Sequence, residues 1–271
     1  MQRALSYTVL GVLALLVLFP FYWMTITSFK NEEQMRSLTS MFWPSPFVGE
    51  NYEQLVSKTE FVKWYGNSAI VAISSTVVAT AVGTIGAYAI ARLRFLGRGF
   101  MASATLITYL VPPSILFIPL YAQIRNLGLS NSLGGLIAAY PSFTVPFVTW
   151  LLMGYFESIP EELEEAAMID GATRFGAFWR IVLPLSAPGL LAAGLYAFTQ
   201  AWNEFLYALV FITDARQRTL PVGLASFITG DVYGWGYLMA GAVLTTLPVI
   251  AAYVYLQKYM VEGLTAGSVK G

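Results

Sequence analysis

Six apolar runs, at roughly 4–27, 68–91, 101–122, 134–155, 185–211 and 238–257, set the terms for this chain. A hydrocarbon core about 30 Å thick takes ~20 helical residues to cross, and each run is near that length. No water inside the core can satisfy exposed backbone groups, so segments of this length cross as α-helices, which pair their own N–H and C=O groups. The runs therefore predict an all-α membrane protein with six transmembrane helices. Composition agrees, since 57% of the residues are apolar and 11% are charged, where a soluble domain is about 25% charged.

Arg3 precedes the first run, as in a secretion signal, but the apolar stretch is too long and no small-residue cleavage pattern follows. It is expected to stay as an anchor helix at about 4–27, ahead of core helices at about 68–257, within a single transmembrane domain spanning 1–271. A loop at 156–184 and a tail at 258–271 complete the plan. With the N-terminus inside, Arg3, Arg92, Arg94, Arg98, Arg174, Arg180, Lys258 and Lys270 fall on the inner side and the other seven cations outside. The total barely decides orientation. The short turn carrying Arg92, Arg94 and Arg98 does, because short loops dominate the positive-inside rule.

The same residues narrow the chemistry. Lys plus Arg equal Asp plus Glu at 15 each, so there is no basic face for nucleic acid. The chain has no cysteine and no histidine, which removes disulfides, thiolate nucleophiles, the usual zinc and haem ligands and the commonest acid/base group near neutral pH. No lysine follows a glycine, so no Walker A phosphate loop exists and ATP binding is left to another subunit. Catalytic, cofactor and metal residues are therefore not assigned. Pro112, Pro113 and Pro119 interrupt the third run, Pro141 and Pro146 the fourth and Pro248 the sixth. Each removes a backbone donor and favours a kink. Gly83 and Gly86, among Ala79, Ala81 and Ala87, suit close helix packing.

The loop between the fourth and fifth runs has its own local physics. Ser158 and Glu161 have capping-box spacing, with Pro160 in the first turn. Glu161, Glu162, Glu164 and Glu165 follow where the helix dipole favours negative charge. Leu163, Ala166, Ala167 and Asp170 lie at helical spacing on one face, small enough for another surface to approach. Gly171 ends this helix, and a second one is expected from about Thr173 to Ile181, returning to the membrane at Leu183 and Pro184. Two uses fit these features: a docking element, or an acidic hairpin that only joins two crossings.

The order Glu165-Ala166-Ala167, three residues, Gly171, nine residues, Ile181, one residue, Leu183-Pro184 resembles the EAA motif of ABC importer permeases, with all positions met. The six crossings, the long first outer loop and the ending GLTAGSVKG (Gly263 to Gly271) are similar to the maltose-type sugar importers, specifically the six-helix partner of their two permeases. That resemblance implies a type I ABC importer permease fold. It also implies a cell-membrane importer of di- or oligosaccharides, bacterial or archaeal, with both termini in the cytoplasm. The chain would pair with a second permease, two ATPase subunits that bind ATP and Mg, and an extracytoplasmic substrate-binding protein met by the outer loops at 28–67 and 212–237. Glu165 would face a basic residue of the ATPase while Ala166, Ala167 and Gly171 allow close packing, and the tail would reach the ATPase dimer. Phe227, Tyr233 and Trp235 in the second outer loop suit protein contacts or interfacial anchoring equally.

Glu204 lies within the fifth run, where an ionisable group is costly and faces protein or a water-filled cavity. Gln200, Asn203 and Glu204 share a helical face beside Trp202, groups suited to holding a polyol or to pairing at the seam with the second permease. The rival reading from another class is an ion-coupled carrier working without an ATPase. It needs coupled carboxylates, and this chain has one clear buried carboxylate and no obvious repeat.

Overall fold

The computed structural model describes residues 2–37, 41–229 and 232–268. Its elements begin with α1 (Gln2–Ser28), α2 (Glu32–Arg36), α3 (Glu50–Lys58) and α4 (Phe61–Arg92). Next come α5 (Arg98–Leu110), α6 (Pro113–Asn126), α7 (Leu133–Ala139), α8 (Pro141–Ser158) and α9 (Glu161–Ile169). After α9 lie α10 (Arg174–Ala177), a π turn (Phe178–Val182), α11 (Leu183–Leu185), α12 (Ala187–Trp202) and α13 (Leu206–Phe211). The chain closes with α14 (Leu220–Ala225), β1 (Ile228–Thr229), β2 (Val232–Tyr233) and α15 (Trp235–Ser268).

Leu5–Ser28, Phe61–Arg92, Leu133–Ser158 and Trp235–Tyr259 are each long and apolar enough to cross a membrane. Two bent pairs bring the crossings to six when each counts as one span: Arg98–Leu110 with Pro113–Asn126, at 99°, and Arg174–Leu185 with Ala187–Trp202, at 75°. The first bend sits at Val111 and Pro112, which are both extended, as expected for residues ahead of proline. Pro141 instead opens α8, and α6, α8 and α15 continue past Pro119, Pro146 and Pro248. The expected interruptions thus fall at Pro112 and Pro113 in the third run and at Tyr140, just ahead of Pro141, in the fourth.

The fifth run differs from expectation. It is not one helix over 185–211, because α12 stops at Trp202 and α13 restarts at Leu206. Polar side chains take over the backbone there. Asn203 Nδ2 donates to the Thr199 carbonyl at 2.9 Å, and the Glu204 carboxylate accepts the Tyr207 and Ala208 N–H groups at 2.8 and 3.0 Å.

The contacts divide the chain into two units. The first comprises 1–66 and 218–250. Most of α1 exposes leucine, valine and phenylalanine along its length, as a lipid-facing helix does. Its end is pinned by Asn51 Nδ2, which donates to the carbonyls of Ser28 and Lys30 at 2.9 and 2.7 Å. Leu55, Phe61, Trp64, Leu220 and Leu224 are buried in this unit, and β1 pairs antiparallel with β2.

The second unit comprises 67–217 and 251–271. Ala79, Ala87 and Ala91 of α4 pack on Val148, Leu152 and Phe156 of α8, together with Phe178, Val182, Ala193 and Ala197. The small side chains of α4 allow this approach. At Gly83 an added Cβ would run into Val148, so glycine is required by packing, as expected.

Candidate functional site

The segment between α8 and α12 folds as a helix, a glycine turn and a return helix. Its start corrects one expectation: Ser158 does not cap α9. Its hydroxyl donates to the Tyr155 carbonyl at 2.7 Å, closing α8, and Pro160 stands at the N-cap of α9 without a side-chain cap. Only Ile159 and Pro160 separate the two helices, so Ser158 still belongs to the last turn of α8. Glu161, Glu162 and Glu164 in the first turn of α9 supply the favourable charge instead.

The far end of α9 is closed by backbone alone. Ala172 N–H donates to the Ala167 carbonyl at 2.9 Å and Gly171 adopts φ +92°, the left-handed conformation that glycine takes at little cost. Thr173 Oγ1 then accepts the Gly176 N–H at 3.1 Å and starts α10. The return helix outruns its expected end at Ile181. It passes through the π turn into α11 at Leu183 and Pro184 and bends before α12.

Motif residues divide by exposure. Glu165, Ala166 and Gly171 are exposed, Ala167, Ile181 and Leu183 are half-buried, and Pro184 is exposed. Of the approach face expected on α9, Leu163, Ala166 and Asp170 are open and Ala167 is partly covered. Two large apolar side chains extend this surface, Ile169 at 86% and Phe175 at 70% exposed. Exposed apolar groups on a polar loop suit contact with another protein or with a membrane surface. A cleft of about 830 Å³ beside it is lined by Arg94, Glu161, Glu165, Met168 and Arg174, among others.

The glutamate one residue earlier behaves oppositely. Glu164 turns inward, and its Oε1 lies 2.8 Å from Arg92 Nε, with the two side chains 8% and 5% exposed. The contact is an ion pair off the best hydrogen-bond alignment, since neither atom is a satisfied hydrogen-bonding group. Tyr88 donates its hydroxyl to Glu164 Oε2 at 2.8 Å. Arg92 also donates to the Ile159 carbonyl and lies 3.5 Å from Glu161 Oε1. One arginine at the end of α4 thereby holds the α8–α9 joint and the first turns of α9.

The membrane run is less unified than its sequence spacing implies. Asn203 is the C-cap of α12, so Glu204 lies past the end of the helix that carries Gln200 and does not complete one helical face with it. Gln200 Nε2 donates to the Tyr196 hydroxyl at 3.1 Å, Asn203 closes α12, and both residues are exposed. Trp202 is 2% exposed and stacks on Phe198 with ring centroids 5.6 Å apart, so its indole offers no open platform. Glu204 accepts the Tyr140 hydroxyl at 2.8 Å in addition to the two α13 amides.

Residues 79–265 match the family described as binding-protein-dependent transport system inner membrane component. The chain belongs to that family. It is 38% identical to the inner membrane ABC transporter permease protein YcjP of Escherichia coli, across 100% of this chain and 99% of that one, and its apolar helices make it a multi-pass membrane protein. It is also 38% identical to the trehalose/maltose transport system permease protein MalG of Thermococcus litoralis, across 96% of this chain and 94% of that protein. A chain in the crystal structure of a bacterial ABC transporter involved in the import of the acidic polysaccharide alginate superposes with a TM-score of 0.81 at 24% identity, covering 95% of both. The fold is thus the all-helical type I permease fold of ABC importers.

Two further expectations for this permease can be located. Parts of the loops at 28–67 and 212–237 meet within the first unit, where the hydroxyl of Tyr237, the last residue of the second loop, donates to Gln54 Oε1. Trp235 is exposed there, whereas Phe227 packs near Trp64 and Tyr237, with ring centroids 5.7 and 5.8 Å away. The Tyr233 side chain, the side chains of 260–271 and the residues Val269 to Gly271 lie outside the described residues, so the tail contact expected of Gly263 to Gly271 is not addressed.

Proposed function

We propose that this chain is one of two permeases in an ATP-driven, binding-protein-dependent sugar importer, forming half of the translocation path as a single transmembrane domain. A maltose- or trehalose-like di- or oligosaccharide is the substrate class. The trehalose/maltose transport of the Thermococcus relative supports it. Glu165, Ala166, Ala167 and Gly171 make the ATPase contact, and Ile181, Leu183 and Pro184 carry its movement into α12. Both termini then lie in the cytoplasm with this loop, and ATP and Mg bind the ATPase subunits. The binding protein meets the outer loops. Gln200 and Asn203, the exposed members of the membrane run, are assigned to the path or to the seam with the second permease.

The observation that carries the reading is the division within α9. The motif residues Glu165 and Ala166 face outward beside exposed Ile169, while the neighbouring Glu164 is locked inward. A hairpin that merely joined two crossings has no need of an open apolar tip. Co-purification tests it: the ATPase subunits should accompany the wild-type chain and be lost with Glu165→Lys and with Gly171→Val. ATPase binding that survives both changes, or full uptake driven by an ion gradient without ATP, overturns the proposal.

A further inference from the structure

We infer that Arg92, Glu164 and Tyr88 form a second transmission strut, carrying movement of α9 directly into α4, in parallel with the covalent path through α10 and the π turn into α12. The inference rests on the reading of α9 as the ATPase-docking helix.

The covalent path is indirect. Gly171 joins α9 to the return helix at φ +92° with open space where a Cβ would lie, and α9 also packs on α10 and the π turn. The path then changes direction by 75° before α12. A displacement of α9 sent only this way reaches α12 around that bend. The connection to α4 is direct. Glu164 and Arg92 are both buried, their charges are 2.8 Å apart, and Arg92 is the last residue of α4. A cation there also complements the helix dipole.

The planar fork of arginine, with donors in fixed directions, suits this joint better than a flexible ammonium. Here it reaches Glu164, Glu161 and the Ile159 carbonyl together. Tyr88, one turn before Arg92, holds the second oxygen of Glu164. Its ring lies 4.5 Å from that of Phe178 in the π turn and 6.0 Å from that of Phe156 in α8. The strut thus also touches the covalent arm at the point where its hydrogen bonding changes from α to π. In a low-dielectric setting such a network moves as a unit or breaks at a cost. We therefore assign all three as positioning residues for coupling.

The test uses the complete transporter in proteoliposomes, with its ATPase subunits and binding protein, and reads substrate imported per ATP hydrolysed. Coupling free energies between sites correspond to about 5- to 150-fold. Glu164→Gln should lower the ratio by about fivefold or more, at the low end of that range, and Tyr88→Phe by less. Arg92→Lys, which keeps the charge but loses the fork, should retain more of the ratio than Arg92→Met. A purely structural pair would reduce the yield of assembled transporter and leave the ratio of the assembled fraction at the wild-type value, which would overturn the inference. If Glu164→Gln does not assemble, Tyr88→Phe decides, since it deletes one hydrogen bond and keeps the ion pair; a wild-type ratio there is equally fatal. Glu165→Lys separates the two claims. ATPase binding that survives it sinks the docking reading, whereas binding lost there beside a wild-type ratio in Glu164→Gln sinks the strut alone.

Discussion

Glu164 and Glu204 are two inward-facing carboxylates, each accepting a tyrosine hydroxyl at 2.8 Å, yet they are neutralised in different ways. Glu164 meets a buried arginine contributed by α4. Glu204 has no cation among its recorded partners and is held by the first free amides of α13. The first arrangement binds parts of the chain that are far apart in sequence. The second is mostly local, and stabilises a break in a helix that the apolar pattern alone would have continued. A carboxylate in an apolar chain can thus serve as a tether or as a cap, and its partners decide which.

The largest expected effect separates these roles. Arg92→Met leaves the Glu164 charge buried without its partner and should cost about 3–5 kcal/mol, seen as a large fall in melting temperature of the detergent-solubilised protein, whereas Arg92→Met with Glu164→Met should recover most of it. A double variant as unstable as the single one would mean that the pair matters through its shape and not its charge. Glu204→Ala should cost less, about 1–3 kcal/mol, by stranding the Tyr140 hydroxyl and two backbone amides, and Glu204→Gln less again because an acceptor oxygen remains. Equal melting of Glu204→Ala and wild type would remove the cap from the account. Smallest is Gly171→Ala. The site is open, so only the positive φ is strained, worth about 1 kcal/mol. No change in melting would mean that the turn relaxes freely.

How much of this could be read beforehand follows the range of the interactions. The apolar runs and the glycine turn were legible because helix length and left-handed backbone are local properties. The close packing at Gly83 was legible for a similar reason, since small residues at helical spacing leave few other uses. The break at Asn203 was missed because an apolar average over 185–211 does not register a side chain that can replace a backbone partner. Ser158 was misassigned because capping-box spacing also occurs in the last turn of a preceding helix. The Arg92–Glu164 pair was out of reach, since four glutamates compete for the arginine and only the fold selects one. Tyr88 and Arg92, four residues apart at the end of a crossing, were the available hint of a polar cluster facing inward.

Site-directed cross-linking tests the central claim, that the exposed face of α9 is where the ATPase acts, most directly. The chain has no cysteine of its own, so Ala166→Cys and Asn203→Cys each place one thiol at a known position. In the assembled transporter, a short thiol-reactive photocross-linker at position 166 should capture the ATPase subunit, and the same reagent at position 203 should not. An ATPase adduct from 203, or none from 166 in a transporter that still imports substrate, would contradict it.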